Sequence, residues 1–277
     1  MERIFVGSEA IANGDVTAYE LRRHYRRVLP DIFGPRRGAL TLSERTTAAW
    51  LWSRREGVVS GLAASAALGA KWVDVDTPIE LNWANNRTPA GVLTRRDTLL
   101  ESEVAITGVM PTTTADRTAF DLARRGSVGD AVARLDALAR ATHFKVDDVQ
   151  ALALVHPHVK GLRRVDRVLD LVDAGAESPK ETWLRLLLID AGYPRPQTQI
   201  PVLGPDGYPR YRLDMGWEDE MIAVEYDGDD HRERSRIRKD IVRSEYLAWL
   251  RWKHIRVVAG MTGREVLARV ARAWASR

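Results

Sequence analysis

One segment near the end of the chain constrains the fold more than any other, because an apolar run there leads directly into acidic residues: Met221-Ile-Ala-Val-Glu-Tyr-Asp-Gly228. A continuous apolar run of this kind predicts a β-strand that is buried on both faces. Since strand side chains alternate, Glu225 and Asp227 share one face at the end of that strand. Buried carboxylates are strongly unfavourable unless a cation, an arginine or a raised pKa compensates them. The segment therefore predicts a site with a specific charge partner.

The segments around this strand predict an α/β domain in which a mixed sheet is flanked by helices. Ser178 can cap a helix that has Pro179 at its first position, and Glu181 completes a capping box. The predicted strands lie at 199–203, 210–217, 221–227 and 254–258, and the predicted later helices at 236–250 and 264–274. The order is α-β-β-β-α-β-α, and the tryptophans Trp183, Trp249 and Trp252 are expected in the core.

Asp214 lies toward the end of the strand that precedes the apolar run, so a hairpin would bring it beside Glu225. Two or three carboxylates that meet at a strand end form a hard-oxygen site suited to Mg²⁺ or Mn²⁺. Such an ion polarises a phosphodiester and lowers the pKa of an attacking water. Two alternatives stay open: Asp214 and Glu225 as an ordinary surface pair, and Asp227 as part of an Asp-Gly turn.

A resemblance to a known family rests on the ordered set of motifs around this site. The set consists of Glu225-Tyr-Asp-Gly-Asp-Asp-His231, Asp214 upstream, and Asp240-Ile-Val-Arg-Ser-Glu-Tyr-Leu247 downstream. It resembles the domain of the very-short-patch-repair endonucleases, which belongs to the PD-(D/E)XK nuclease superfamily. The resemblance covers roughly residues 177–258. It implies a restriction-endonuclease-like domain that cleaves DNA with Mg²⁺.

Carried over to this chain, the resemblance makes Asp214 and Glu225 metal ligands, with Glu181 reaching the metal or its water from the first helix. The superfamily's lysine, two residues beyond the glutamate, is absent, and Asp227 stands in its place. His231 is then the best alternative for proton transfer, because the ordinary pKa of a histidine side chain lies near neutrality. From the residues alone, Glu181 is equally explained as a capping-box acid and His231 as a turn residue.

The densest basic run of the chain follows this motif. Its cations are Arg232, Arg234, Arg236, Arg238 and Lys239. They are candidates for DNA phosphate contacts, with the salt-dependent affinity that such contacts bring. A solvated helix start is the alternative, because Glu233 and Asp240 interrupt the positive charge.

The first part of the chain is predicted to be mostly helical, with a winged-helix-like element. Leu21, Tyr25 and Val28 follow a helical pattern within 17–29, and Arg22, Arg23 and Arg26 cover its other faces. This pattern predicts a DNA-binding recognition helix, or equally a solvated helix with a basic surface. Further helices are predicted at 46–69, 112–125, 128–141, 146–155 and 162–172, with strands at 79–83 and 92–96 around a turn at Asn85, Asn86 and Pro89.

The basic helix at 17–29 and the stretch Gly108-Val-Met-Pro-Thr-Thr-Thr-Ala-Asp-Arg-Thr-Ala-Phe-Asp-Leu-Ala123 loosely resemble the antitoxin domains of type IV abortive-infection systems. That resemblance implies a DNA-binding or partner-binding role for this region.

Length and composition narrow the function classes. A chain of 277 residues favours two domains, and the loop at 173–179 gives the bounds 1–175 and 176–277. The absence of cysteine excludes disulfides and thiolate metal sites. Since there is neither a membrane-length apolar run nor a leader-like start, a cytoplasmic protein without membrane contact is expected. The net charge of +4 permits nucleic-acid binding.

Together these features predict a Mg²⁺-dependent DNA endonuclease that acts in repair or defence. The alternative is a non-catalytic, antitoxin-like DNA-binding transcriptional regulator with a degenerate nuclease fold. A homodimer, and a toxin or other defence-system partner, are compatible with these interpretations. An arginine such as Arg212 or Arg243 lying against the acidic pair would favour the regulator.

Overall fold

The computed structural model describes residues 3–228 and 234–276, with the backbone alone described for 234–238. It divides into two compact units, Met1–Asp170 and Leu171–Arg277. This division falls a few residues before the loop at 173–179. The reason is that Arg185 donates to the Leu171 carbonyl at 2.7 Å and Arg195 to the Val172 carbonyl at 2.9 Å, which fixes the loop to the second unit.

The first unit begins with a small antiparallel sheet and two short helices. The elements are β1 (Phe5–Val6), α1 (Gly7–Ala12), α2 (Ala18–His24), β2 (Tyr25–Leu29) and β3 (Ile32–Pro35), and the sheet order is β1-β3-β2. The helix predicted at 17–29 is therefore wrong beyond His24. In the β2 conformation the Tyr25 ring packs edge-on against Phe5, with 5.0 Å between centroids, so tertiary packing outweighs the helical pattern.

A five-stranded sheet forms the middle of the first unit. Its strands and the adjoining helices are α3 (Leu42–Trp52), β4 (Val58–Ser60), α4 (Gly61–Ala67), β5 (Ile79–Asn82), β6 (Val92–Arg95), β7 (Val104–Thr107) and β8 (Met110–Thr113). The sheet order is β6-β5-β4-β8-β7. The single helix predicted at 46–69 is wrong, because the buried strand β4 interrupts it. The two strands predicted near Asn85 are present but pair in parallel, so a crossover joins them instead of a hairpin turn.

Helices complete the first unit, and each matches a segment predicted to be helical to within a residue or lies inside it. They are α5 (Ala115–Ala123), α6 (Val128–Thr142), α7 (Val146–Val155) and α8 (Val165–Asp170). Two short 3₁₀ turns, Glu101–Glu103 and Leu162–Arg164, adjoin them. Eight strands are described in residues 3–170 beside these helices, so the unit is mixed α/β, with more residues in helices than in strands.

The second unit has the predicted order α-β-β-β-α-β-α. Its elements are α9 (Pro179–Asp190), β9 (Gln197–Leu203), β10 (Pro209–Trp217), β11 (Ile222–Asp227), α10 (Arg234–Trp249), β12 (Lys253–Val258) and α11 (Gly263–Ala275). The sheet order is β12-β11-β10-β9, with β11 and β12 parallel and the other neighbours antiparallel. The chain is thus an α/β protein with mixed sheets.

Two apolar layers bury the sheet of the second unit. On one face Leu184 of α9 and Val266 of α11 pack against Val224, and on the other Leu247 of α10 packs in a cluster with Ala223. β11 is therefore buried on both faces, as its apolar sequence predicts. Trp252 is 9% exposed, but Trp183 and Trp249 are 40% and 73% exposed, so the prediction that these two lie in the core is wrong.

Candidate active site

The two acidic residues predicted to meet lie at the same end of the β10–β11 hairpin. Met215 pairs with Val224 in this hairpin, which makes Asp214 and Glu225 the next residues along their strands. Gly216 permits the tight pairing beside them, because a Cβ there would lie 2.2 Å from the Ile222 carbonyl oxygen. Asp214 and Glu225 line a cleft of about 350 Å³ whose walls come from β10, β11, β12 and α10.

Asp214 holds its proton far more tightly than an ordinary aspartate. Burial is the main cause, followed by the negative charges of Glu225 and Glu181, and together they raise the pKa of Asp214 to about 7. The backbone amide of Tyr226, which donates to Asp214 Oδ2 at 3.0 Å, and the charge of Arg243 oppose this shift in part. The negative charge at Asp214 is therefore incompletely compensated by the protein's own cations.

Glu225, in contrast, has a cationic or donor group at each carboxylate oxygen. Arg243 Nη2 lies 2.5 Å from Oε1, and His254 Nε2 lies 2.5 Å from Oε2. The glutamate is 6% exposed, so both contacts are shielded from solvent. Arg243 also donates to the Arg212 carbonyl at 2.7 Å, which holds its guanidinium at the cleft wall. An arginine contact of this kind is the feature expected of the regulator.

Asp227, on the same face as Glu225, forms an ion pair with Arg256 of β12. Arg256 also lies 3.4 Å from Asp240. Burial acts against the charge of Arg256, but Asp227 and Asp240 outweigh it and raise the pKa of this arginine. Asp227 is therefore more than a residue of an Asp-Gly turn. At the position that the resemblance assigns to a lysine, the chain has an acid paired with an arginine from the neighbouring strand.

Glu181 is a capping residue whose charge is also felt at the site. Its Oε1 accepts from the Ser178 hydroxyl at 2.9 Å and its Oε2 from the Glu177 amide at 2.8 Å. The Ser178 hydroxyl accepts in turn from the Glu181 amide at 3.2 Å, which is one half of the predicted capping box; in the other half the Glu177 amide takes the place of the Ser178 amide. Glu181 is 8% exposed, and its charge contributes to the raised pKa of Asp214.

The remaining predicted site residues are placed only in part. His231 and Arg232 lie outside the described residues. Arg234, Arg236 and Arg238 lie on α10, with their side chains outside the described set. Lys239 is exposed and lines the cleft.

The three N-terminal arginines do not share a helix. Arg22 and Arg23 are exposed on α2, and Arg23 donates to the Tyr19 hydroxyl at 2.5 Å. Arg26 lies on strand β2 and donates to the Gly38 carbonyl at 2.9 Å, so its prediction as a helix residue is wrong. The reason is that the second half of the segment predicted as a helix forms strand β2.

Two further site residues, His254 and Arg256, were not predicted from the sequence. Both lie on β12, where Ala223 pairs with His254 and Glu225 with Arg256. The signal that could have indicated them is the alternation of polar residues with buried apolar residues along this strand. Their partners depend on a parallel pairing that no local pattern specifies.

Comparisons with known proteins give relatives without a stated activity. No family model matches the chain. The chain is 30% identical over 159 residues to the uncharacterized proteins MT2308 and Rv2248 of Mycobacterium tuberculosis strains CDC 1551 / Oshkosh and ATCC 25618 / H37Rv. Each match covers 56% of this chain and 58% of the relative. The chain therefore spans less than two thirds of the length of these relatives.

A solved structure also shows similarity, the crystal structure of the RV2827C protein from Mycobacterium tuberculosis. Its TM-score is 0.43 at 15% sequence identity, and the superposition covers 74% of this chain and 85% of that one. Within residues 3–228 and 234–276, no helix is long and apolar enough to cross a membrane.

Proposed function

We propose that the second unit is a restriction-endonuclease-like domain that hydrolyses DNA phosphodiesters with Mg²⁺ or Mn²⁺, in a repair or defence process. The observation that carries the proposal is the acidic pair at the end of the hairpin, half-buried Asp214 and buried Glu225, which lines a cleft. The mixed sheet flanked by helices supports the same assignment, because its element order is the one that the sequence predicts for this domain.

The charge at the acidic site favours a divalent cation, but the number of metal-ligating side chains there is small. Asp214 has excess negative charge around it, and among the described residues no arginine or lysine forms an ion pair with it. Carboxylate oxygens are the ligands that Mg²⁺ prefers. Against this, the described residues contain no group of three or more metal-ligating side chains. The site is therefore best suited to a cation held by two carboxylates and otherwise by water and phosphate.

The residues of the cleft have separate parts in such a reaction. Asp214 and Glu225 would hold the ion, which when bound supplies charge to polarise the phosphate and activate water. Arg243 would leave Glu225 and contact a phosphate oxygen, and its bond to the Arg212 carbonyl keeps it within the cleft. His254 would keep the Glu225 carboxylate oriented through its second oxygen. Lys239 adds a further cation for the DNA backbone.

A second function is favoured by a specific observation. Arg243 and His254 already compensate Glu225 without a metal ion. This arrangement suits a degenerate nuclease fold in a DNA-binding, antitoxin-like regulator. The first unit supports the same idea, because two short helices precede the β2–β3 hairpin, as in a winged helix, and Arg22 and Arg23 are exposed on the second helix.

The deciding experiment incubates the full chain with supercoiled, linear, single-stranded and mismatched DNA, in Mg²⁺, Mn²⁺ or EDTA. A nuclease cleaves in the metal arms, and Glu225→Gln abolishes cleavage because a charged ligand is lost. Asp219→Asn is the matched control, since it removes one exposed carboxylate from the β10–β11 turn. If neither wild type nor control cleaves, and calorimetry detects no metal binding, the regulator replaces the nuclease. Equal cleavage by wild type and Glu225→Gln would identify a contaminant.

A further inference from the structure

A row of aromatic rings runs along one face of α10. Arg243, Tyr246 and Trp249 are spaced three residues apart, so they are neighbours on the helix surface. The ring centroids of Tyr246 and Trp249 are 5.7 Å apart, and Tyr211 of β10 lies 5.9 Å from Tyr246. We name Tyr211, Tyr246 and Trp249, with Arg210 and Arg243, the aromatic row.

Two arginines are held against these rings. The Arg210 guanidinium lies 4.6 Å from the centroid of Tyr246, and that of Arg243 lies 5.7 Å from the centroid of Tyr211. A guanidinium stacked on a ring keeps its outer N–H groups available for phosphate oxygens, as for Arg210; Arg243 Nη2 already donates to Glu225 and to the Arg212 carbonyl and would exchange one of these contacts for a phosphate. Since Arg243 also contacts Glu225, the row begins at the wall of the acidic cleft.

The two tyrosines of the row are half-buried and held in place, and its exposed ring is Trp249. Tyr246 donates its hydroxyl to the Leu203 carbonyl at 2.8 Å, which fixes its ring against the β9–β10 hairpin. Trp249, at the end of the row, is 73% exposed. With the ring of Tyr246 beside it, the exposed indole offers an aromatic surface on a fixed support, which suits a flat apolar partner.

We propose that the aromatic row binds single-stranded nucleic acid, with a base stacked on Trp249 and phosphates contacted by Arg210 and Arg243. Unpaired bases expose the flat faces that stack on aromatic side chains, whereas a duplex presents mainly its phosphates at such a surface. The two arginines match the negative charge of the backbone. Binding stands independently of catalysis; the further idea that the row leads a strand to Glu225 rests on the proposed nuclease function.

The test measures binding by the full chain in EDTA, so that cleavage plays no part. The probes are dye-labelled oligothymidine, an abasic oligonucleotide of equal length and a duplex, followed by fluorescence anisotropy. Wild type should bind oligothymidine about tenfold more tightly than the abasic strand, because base stacking is lost in the latter. Trp249→Ala should remove that difference, and Trp249→Phe should keep most of it. Trp183→Ala, which removes another exposed tryptophan of the same unit, should behave as wild type.

Three results would overturn the proposal. The first is equal wild-type affinity for oligothymidine and the abasic strand. The second is unchanged oligothymidine binding by a Trp249→Ala variant that melts at the wild-type temperature. The third is a Trp249→Ala variant that dissociates a dimer in sedimentation yet binds DNA normally, since the row would then be a protein interface. Binding without cleavage would count against the nuclease alone, so the two proposals fail separately.

Discussion

Asp214 makes the stability of the folded protein depend on pH, in the direction opposite to that of an aspartate whose pKa is lowered by folding. The folded protein holds the Asp214 proton up to a pKa of about 7, against an ordinary value of 3.8. Between these values the folded state binds more protons than the unfolded state, so stability falls as the pH rises through this window. Above it the carboxylate is ionised in both states, and the destabilisation is complete.

The Asp214→Asn variant should therefore be more stable than wild type in EDTA, and more so at high pH. We expect a gain on the order of 3 kcal/mol in the free energy of unfolding at about pH 8, and much less at about pH 5. Urea unfolding at both pH values measures it. Asp219→Asn, an exposed turn residue, serves as the control and should change little. A gain of equal size at both pH values would show that the Asp214 proton is not its cause.

Arg243 distinguishes the two proposed functions, because it occupies Glu225 in the regulator and must release it in the nuclease. Arg243→Met removes the charge beside Glu225 while keeping a long side chain, and should lower the free energy of unfolding by about 2 kcal/mol, because Glu225 loses a shielded partner. If the site takes a divalent cation, calorimetry should show tighter Mn²⁺ binding by this variant, since the arginine no longer competes for Glu225. Arg212→Met, with an exposed side chain, is the control. Absence of Mn²⁺ binding by both variants would favour the regulator.

At the scale of elements, the stretch at 108–123, which resembles an antitoxin motif, contains a residue that forms buried ion pairs. Arg117 of α5 is fully buried and contacts Glu103 at 2.5 Å and Asp121 at 3.2 Å. His156 lies 2.5 Å from the other oxygen of Glu103. Burial tends to raise the pKa of Glu103, but the contacts from His156 and Arg117 outweigh it and lower the pKa. The motif thus has a sufficient structural explanation within the first unit.

Breaking this network should destabilise the first unit. Arg117→Met leaves Glu103 and Asp121 without their shared cation, and removal of one partner from a buried ion pair costs about 3–5 kcal/mol. Amide hydrogen exchange across α5 should accelerate accordingly. Arg167→Met removes an exposed arginine from α8 and should leave the exchange unchanged. Wild-type protection in Arg117→Met would mean that the ion pairs contribute little to stability.

Local signals explain which elements could be predicted from the sequence. The Ser178 cap and the apolar run of β11 act over a few residues, so α9 and β11 are found where the sequence indicates. Strands β2 and β4 were missed because their conformation depends on distant partners: Val59 pairs with Leu81 and is fully buried. A short β-strand inside an alanine-rich helical pattern has no local signature.

The residues of the candidate site also fall into those that the sequence predicts and those that it does not. Asp214 and Glu225 are joined by a hairpin, whose geometry follows from neighbouring strands, so their meeting was predictable. Arg243, His254 and Arg256 come from α10 and β12, and their contacts with the acids depend on how those elements pack on the sheet. Spacing alone does not determine that packing.

At the scale of the whole molecule, basic groups occur in both units, on α2 of the first and on α10 of the second. Either set is a candidate for DNA phosphate contacts, and salt dependence separates them. Each phosphate contact releases counterions, so the logarithm of the binding constant falls with the logarithm of salt concentration in proportion to the number of contacts. Loss of a contact flattens that slope without favouring any DNA sequence.

The triple variant Arg234→Ala, Arg236→Ala and Arg238→Ala should therefore bind DNA more weakly for all sequences alike, with a slope flatter by about 2–3. The double variant Arg22→Ala and Arg23→Ala should flatten it by about 2 if α2 is also a DNA-binding helix. A matched control removes three exposed arginines from α11, on the opposite face of the sheet from α10: Arg264, Arg269 and Arg272. Anisotropy titrations across a salt series measure all four proteins. If the α11 control weakens binding as much as the α10 triple variant, net charge determines affinity and α10 is not the DNA-contacting helix.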